Sequence, residues 1–181
     1  MSIHEEPTGA VAVARHYIRD VIYGANDGIL TTFAVVAAVT GGALSARAVL
    51  IVGVANLFAD GLSMGVGNYL SIRSHESALA AQERPVEEAF PARHGFATFL
   101  AFAAAGAVPL LPFVAPGNIE PFGLSVALTF VTLFVVGALR ATVTADRWLS
   151  AGAEMLLLGA LVAAAAYGSG AVVAALLGAP L

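Results

Sequence analysis

Four polar or sulfur-bearing side chains, Asn56, Asp60, Met64 and Asn68, stand four residues apart in the otherwise apolar run from Ala48 to Ile72. At 3.6 residues per helical turn this spacing places them on one slowly drifting stripe. A second set, Asp20, Asp27 and Thr31, repeats at spacings of seven and four and shares a face of the preceding segment. Carboxylate and amide oxygens suit hard or borderline divalent cations, and a thioether favours transition metals over Mg2+ or Ca2+. The mixture points to Fe2+ or a neighbour such as Mn2+. The plainer reading makes the acids hydrogen-bonded packing residues and Met64 a space filler. For Met64 alone that reading is the stronger; for the two acids together a functional role is stronger, because ionisable groups inside a membrane are rare and costly.

The membrane itself follows from composition. The chain of 181 residues is 59% hydrophobic and 11% charged, against about 25% charged in soluble domains. Its apolar blocks are long enough for five spanning helices at about 20 residues each, over roughly 22–44, 48–72, 96–115, 122–140 and 151–176. The expected fold is therefore an all-α integral membrane protein. Residues 1–21 form an N-terminal lead that is polar and acidic rather than basic and then apolar, so no cleaved signal is expected. The basic residues are all Arg: Arg15, Arg19, Arg73, Arg84, Arg93, Arg140 and Arg147 fall on one side and Arg47 alone on the other. By the positive-inside rule the N-terminus is expected in the cytoplasm. With no Cys, the chain has neither disulfides nor thiolate metal ligands.

Between the helices, residues 45–48 leave room only for a tight turn, so the first two spans should form an antiparallel hairpin. Residues 73–95 form a short acidic segment broken by Pro85 and Pro91, in which His75, Glu76, Glu83, Glu87, Glu88 and His94 are potential cation collectors or simply solvated groups. Glu154 opens the fifth helix, where a helix dipole alone favours an acid. Asp20, Glu76 and Glu154 are thus weaker candidates for a cytoplasmic entrance. Gly24 with Gly28, and Gly61 with Gly65, have the spacing of close helix packing. The stripe on the second helix cannot face lipid, since an Asp at the helix centre costs about 2.5–3.5 kcal/mol on the insertion scale. Another helix, a symmetry mate or a wet cavity must receive it, and in the hairpin the nearest candidate is helix one.

The stretches "YGANDGILTTFAVVAAVTGGALS" and "VLIVGVANLFADGLSMGVGNYLS", with "PARHGFATFLAFAAAGAVPLLPF" later, resemble the first three helices of the vacuolar iron transporter family. The resemblance implies a five-helix protomer, a symmetric homodimer with the pathway between subunits, and export of Fe2+ and often Mn2+ from the cytosol against protons. It makes Asp27 the first-helix transport acid and Met64 the second-helix methionine. Two departures stand out. Asn56, eight residues before Met64, occupies a position that can be Glu in the family. The segment 73–95 is also far shorter than the cytoplasmic metal-binding domain of the long members, which makes the chain similar to the short, nodulin-like form.

The expected metal ligands of the transport pathway are therefore Asp27, Asp60 and Met64, with Asn56 as a neutral helper. Fe2+ or Mn2+ is the cargo rather than a cofactor, protons are the coupling ion, and the partners are a second copy and the lipid membrane, with no nucleic acid. The membrane is the cytoplasmic one in a bacterium or a vacuolar type in a eukaryote. A proton-coupled carrier of a small organic solute, or a non-transporting membrane subunit, would use the same apolar helices. No enzyme is expected: no nucleophile–base arrangement is evident, and the four His residues lack zinc-ligand spacing.

Overall fold

The computed structural model describes residues 9–85, 87–114, 120–142, 144 and 146–178. The first eight residues of the lead and most of the turn "APGNIEP" lie outside them. The helices are α1 (Ala10–Gly41), α2 (Ala46–Ala81), α3 (Pro91–Gly106), the short α4 (Leu111–Val114), α5 (Pro121–Arg140) and α6 (Trp148–Leu176), with a 3-10 turn over Val108–Leu110. Five spans are long and apolar enough to cross a membrane, the third formed by α3 and its continuation to Val114. The chain is an all-α integral membrane protein.

Local chemistry sets the helix ends. α1 stops at Gly42, Ala43 turns the chain with φ 54°, and the Ser45 hydroxyl accepts the Ala48 N–H at 3.3 Å to start α2. Pro91 and Pro121 occupy first turns, where a missing N–H costs nothing. The Glu120 carboxylate caps α5 by accepting the N–H groups of Phe122 at 2.9 Å and Gly123 at 2.6 Å. In the third span, residue 112 is proline and has no N–H to offer the Pro109 carbonyl. The buried Ser125 hydroxyl of α5 donates to that carbonyl instead, at 2.7 Å.

α3 is the spine of the bundle, because α1 and α2 both make their largest contact with it. Both small-residue pairs serve this contact. A Cβ on Gly24 or Gly28 would strike the backbone of Thr98 or Phe102, one on Gly65 would come within 2.7 Å of the Gly95 carbonyl, and one on Gly61 within 3.0 Å of the Phe102 ring. The expected partnership of α1 with α2 is real but secondary to their shared packing on α3. Backbone-to-backbone approach lets dispersion act where lipid removes the hydrophobic drive for association. Around the spine, Ala25, Ile29, Leu133, Val136 and Met155 form one apolar cluster and Phe33, Val36, Val39, Val49 and Leu110 another. Met155 is thereby core packing. Large apolar side chains such as Ile51, Phe58, Leu62, Leu157 and Leu161 point outward.

Gly28→Ala must push α1 off α3, and overpacking of this kind costs about 1–3 kcal/mol. Gly168 has nothing within 4 Å of an added Cβ, so Gly168→Ala should be neutral or stabilising. Thermal unfolding of the two variants in detergent is expected to lower the midpoint for the first only.

Candidate functional site

The α2 stripe lies at the edge of its packed seam. Val49, Gly53, Leu57, Gly61 and Gly65 are buried against the bundle, and Asn56, Asp60, Met64 and Asn68 follow alongside as a half-buried row. Beyond that row the helix surface is uncovered, at Ala55, Ala59, Ser63 and Gly67 among others. On α1, Asp27 is half-buried too, and its carboxylate is close enough to that of Asp60 for the two charges to interact. Asp27 and Asp60 are thus half-buried on two helices that touch, within reach of each other's charge, with Met64 one turn beyond Asp60. The amide nitrogen of Asn56 and the amide oxygen of Asn26 are buried with no hydrogen-bond partner among the described residues. Such groups keep their bonding capacity for other ligands. Thr31 does not join them, because its hydroxyl donates back to the Asp27 carbonyl at 2.8 Å.

Asn68, the last member of the stripe, belongs to a different structure. Its amide donates to Asp20 Oδ1 at 2.9 Å and to Thr98 Oγ1 at 2.8 Å, while the Thr98 hydroxyl donates to the His94 carbonyl at 2.9 Å. The other Asp20 oxygen accepts from His94 Nδ1 at 2.6 Å. Asp20 is only 3% exposed and His94 2%, so an expected entrance acid is instead the centre of a buried network joining α1, α2 and α3. The remaining weak candidates also have local work. Glu76 accepts the backbone N–H groups of Glu87 at 3.0 Å and Glu88 at 2.8 Å, which fixes the end of the acidic segment. His75 pairs with Glu87 at 3.3 Å, and Glu154 pairs with Arg140 between α5 and α6.

Sequence reasoning missed Thr98 and the partnership of Asp20 with His94. The two partners are 74 residues apart, beyond the reach of any periodicity. One signal was available: His94 and Thr98, four apart in the first turns of an apolar helix, mark a polar face that must meet another.

Asn68→Ala would leave the Asp20 carboxylate and Thr98 hydroxyl each without one partner, at a cost of about 1–3 kcal/mol. Unfolding by SDS titration in mixed micelles should show the loss; a variant as stable as the parent would mean that the network does not hold the three helices.

Comparison with known proteins places this arrangement in context. The model of the VIT family matches residues 18–90 and 78–171. A vacuolar iron transporter of Toxoplasma gondii is 42% identical over 71 residues, 39% of this chain and 24% of that protein. The chain thus matches about a quarter of that relative's length. Vacuolar iron transporter 1 of Arabidopsis thaliana is 25% identical over 212 aligned positions, covering 85% of each chain. An alignment longer than this 181-residue chain means that the Arabidopsis protein carries segments absent here. Vacuolar iron transporter homolog 5 of Oryza sativa subsp. japonica is 32% identical over 127 residues, 65% of this chain and 60% of that protein.

Proposed function

Because this chain belongs to the VIT family, we propose that it carries Fe2+ or Mn2+ out of the cytosol in exchange for protons. Asp27, Asp60 and Met64 are the pathway ligands, and Asn56 supplies a neutral amide. The observation that supports this reading is the placement of Asp27, Asp60 and Met64, all half-buried, on two contacting spanning helices, with the two acids within reach of each other's charge. Two carboxylates at low dielectric repel strongly unless their charge is balanced. A divalent cation balances both at once, and protons can do so when the cation leaves. Met64 adds a soft ligand that discriminates against Mg2+ and Ca2+. The names of the relatives favour a transporter over an enzyme.

The same row of side chains supports a homodimer. Asp60 and Met64 sit beside an uncovered apolar face of α2, and lipid is a poor neighbour for a carboxylate. A second copy packed on that face would enclose the row and double its ligands. The start of α1, the segment 73–95 and the α5–α6 connection carry all the Arg residues except Arg47, which supports placing that end in the cytosol. The segment 73–95 is then the short cytoplasmic part of a membrane domain covering 22–181. The membrane is the inner one of a bacterium or a vacuolar type in a eukaryote.

Reconstituted into vesicles, the parent should accumulate Fe2+, with Mn2+ or Co2+ competing. A lost charged ligand, worth about 1.5–3 kcal/mol, should slow transport at limiting Fe2+ by about ten- to a hundredfold in Asp27→Asn and Asp60→Asn, and Met64→Leu should weaken the preference over Mg2+. Parent-like rates in correctly inserted Asp27→Asn and Asp60→Asn would sink the assignment; indifference to Mn2+ and Co2+ would indicate an organic solute instead.

A further inference from the structure

At the end of the bundle where α1 begins, three potential ligands converge from three different elements. They are His16 of α1, Glu88 of the segment before α3, and His94 of α3, and one ligand atom from each lies within 4.8 Å of the others. The geometry points to a binding site for a first-row divalent transition cation at His16, Glu88 and His94, separate from the Asp27–Asp60 pathway.

Several features act together. Asp20 accepts from His94 Nδ1 at 2.6 Å, which fixes the tautomer and turns Nε2 toward Glu88 Oε2 at 3.1 Å. A carboxylate behind a histidine is the usual way of orienting and strengthening a metal-binding imidazole. His16 Nε2 approaches the same Glu88 oxygen at 3.3 Å. Two atoms each about 2.1 Å from one ion, at angles of roughly 90–110°, lie about 3.0–3.4 Å apart, so both nitrogen–oxygen separations already match a shared cation. The His16 side chain is 20% exposed and that of Glu88 27%, and both line a cleft of about 560 Å³ that gives an entry path.

Charge and rigidity agree with this. Two neutral imidazoles with the carboxylates of Glu88 and Asp20 sum to the charge a divalent ion cancels. Glu88 and His94 are tied into the fold: Glu76 holds the Glu88 backbone, Thr98 holds the His94 carbonyl, and Asp20, itself held by Asn68, holds the His94 ring. Two nitrogens and one oxygen are a borderline set, suited to Fe2+, Co2+ or Zn2+ rather than Mg2+ or Ca2+. The site does not depend on the transport reading, because it shares no ligand with the pathway.

The test uses tag-free full chain in detergent, with Asp27→Asn and Asp60→Asn introduced to silence the pathway ligands. Titration with Co2+ alone, followed by calorimetry and visible absorption, should show one ion per chain with a spectrum typical of nitrogen ligation. His16→Gln and Glu88→Gln, both at accessible positions, should each weaken binding by about tenfold or more while circular dichroism stays unchanged. Absence of Co2+ binding, binding unaltered in both variants, or displacement of Co2+ by modest Mg2+ would overturn the site. Vesicle transport is measured independently, so failure here leaves the pathway assignment standing.

Discussion

Close glycine contact with α3 is the constraint on which the remaining architecture rests. Lipid gives helices no hydrophobic reason to associate, so the approach of α1 and α2 to α3 depends on backbones that can touch. Gly24 and Gly28 provide this on α1, Gly61 and Gly65 on α2, and Gly95 and Gly106 on α3 itself. Only at such short range do the side chains of Asp20, Asn68, His94 and Thr98 reach hydrogen-bond distance. About two turns further along, the same packing leaves Asp27 and Asp60 within reach of each other's charge. Packing and polar chemistry are therefore one design: the small residues set the spacing, and the polar residues use it.

The five spans were legible because hydrocarbon imposes a length and an apolarity that few other contexts demand. The helix ends were less so. Hydropathy marks where a helix is wet, not where its hydrogen-bond ladder stops, and α1 starts at Ala10 while α2 continues to Ala81. The α2 stripe was legible from its period of four, yet the period says nothing about what each member meets. Asn68 bonds to Asp20 and Thr98, whereas Asp60 has no such fixed partner among the described residues and lies only within the electrostatic reach of Asp27. Spacing rules for metal ligands also fail by construction when His16, Glu88 and His94 come from three elements. The rules recognise ligands fixed by one local structure; here the tertiary fold does the fixing.

Two polar layers thus lie along α1, separated by the seven residues from Asp20 to Asp27, about 10 Å of helical rise. They differ in kind. The outer layer has its Asp20 and His94 side chains held by hydrogen bonds across three helices and nearly closed to solvent. The inner layer has few fixed partners and opens on an uncovered face. Fixed partners suit groups that must be held in one orientation, and bonding capacity held in reserve suits a group that exchanges ligands.

The unbroken 36-residue α2 has one more consequence. At 1.5 Å per residue it is about 54 Å long, against about 30 Å of hydrocarbon. Its last turns must project past the lipid as a stiff post, and Glu76 on that post grips the backbone of Glu87 and Glu88. Groups mounted there stand at a set height above the bilayer instead of searching the volume that a flexible tether would allow. Reach is given up for fixed aim.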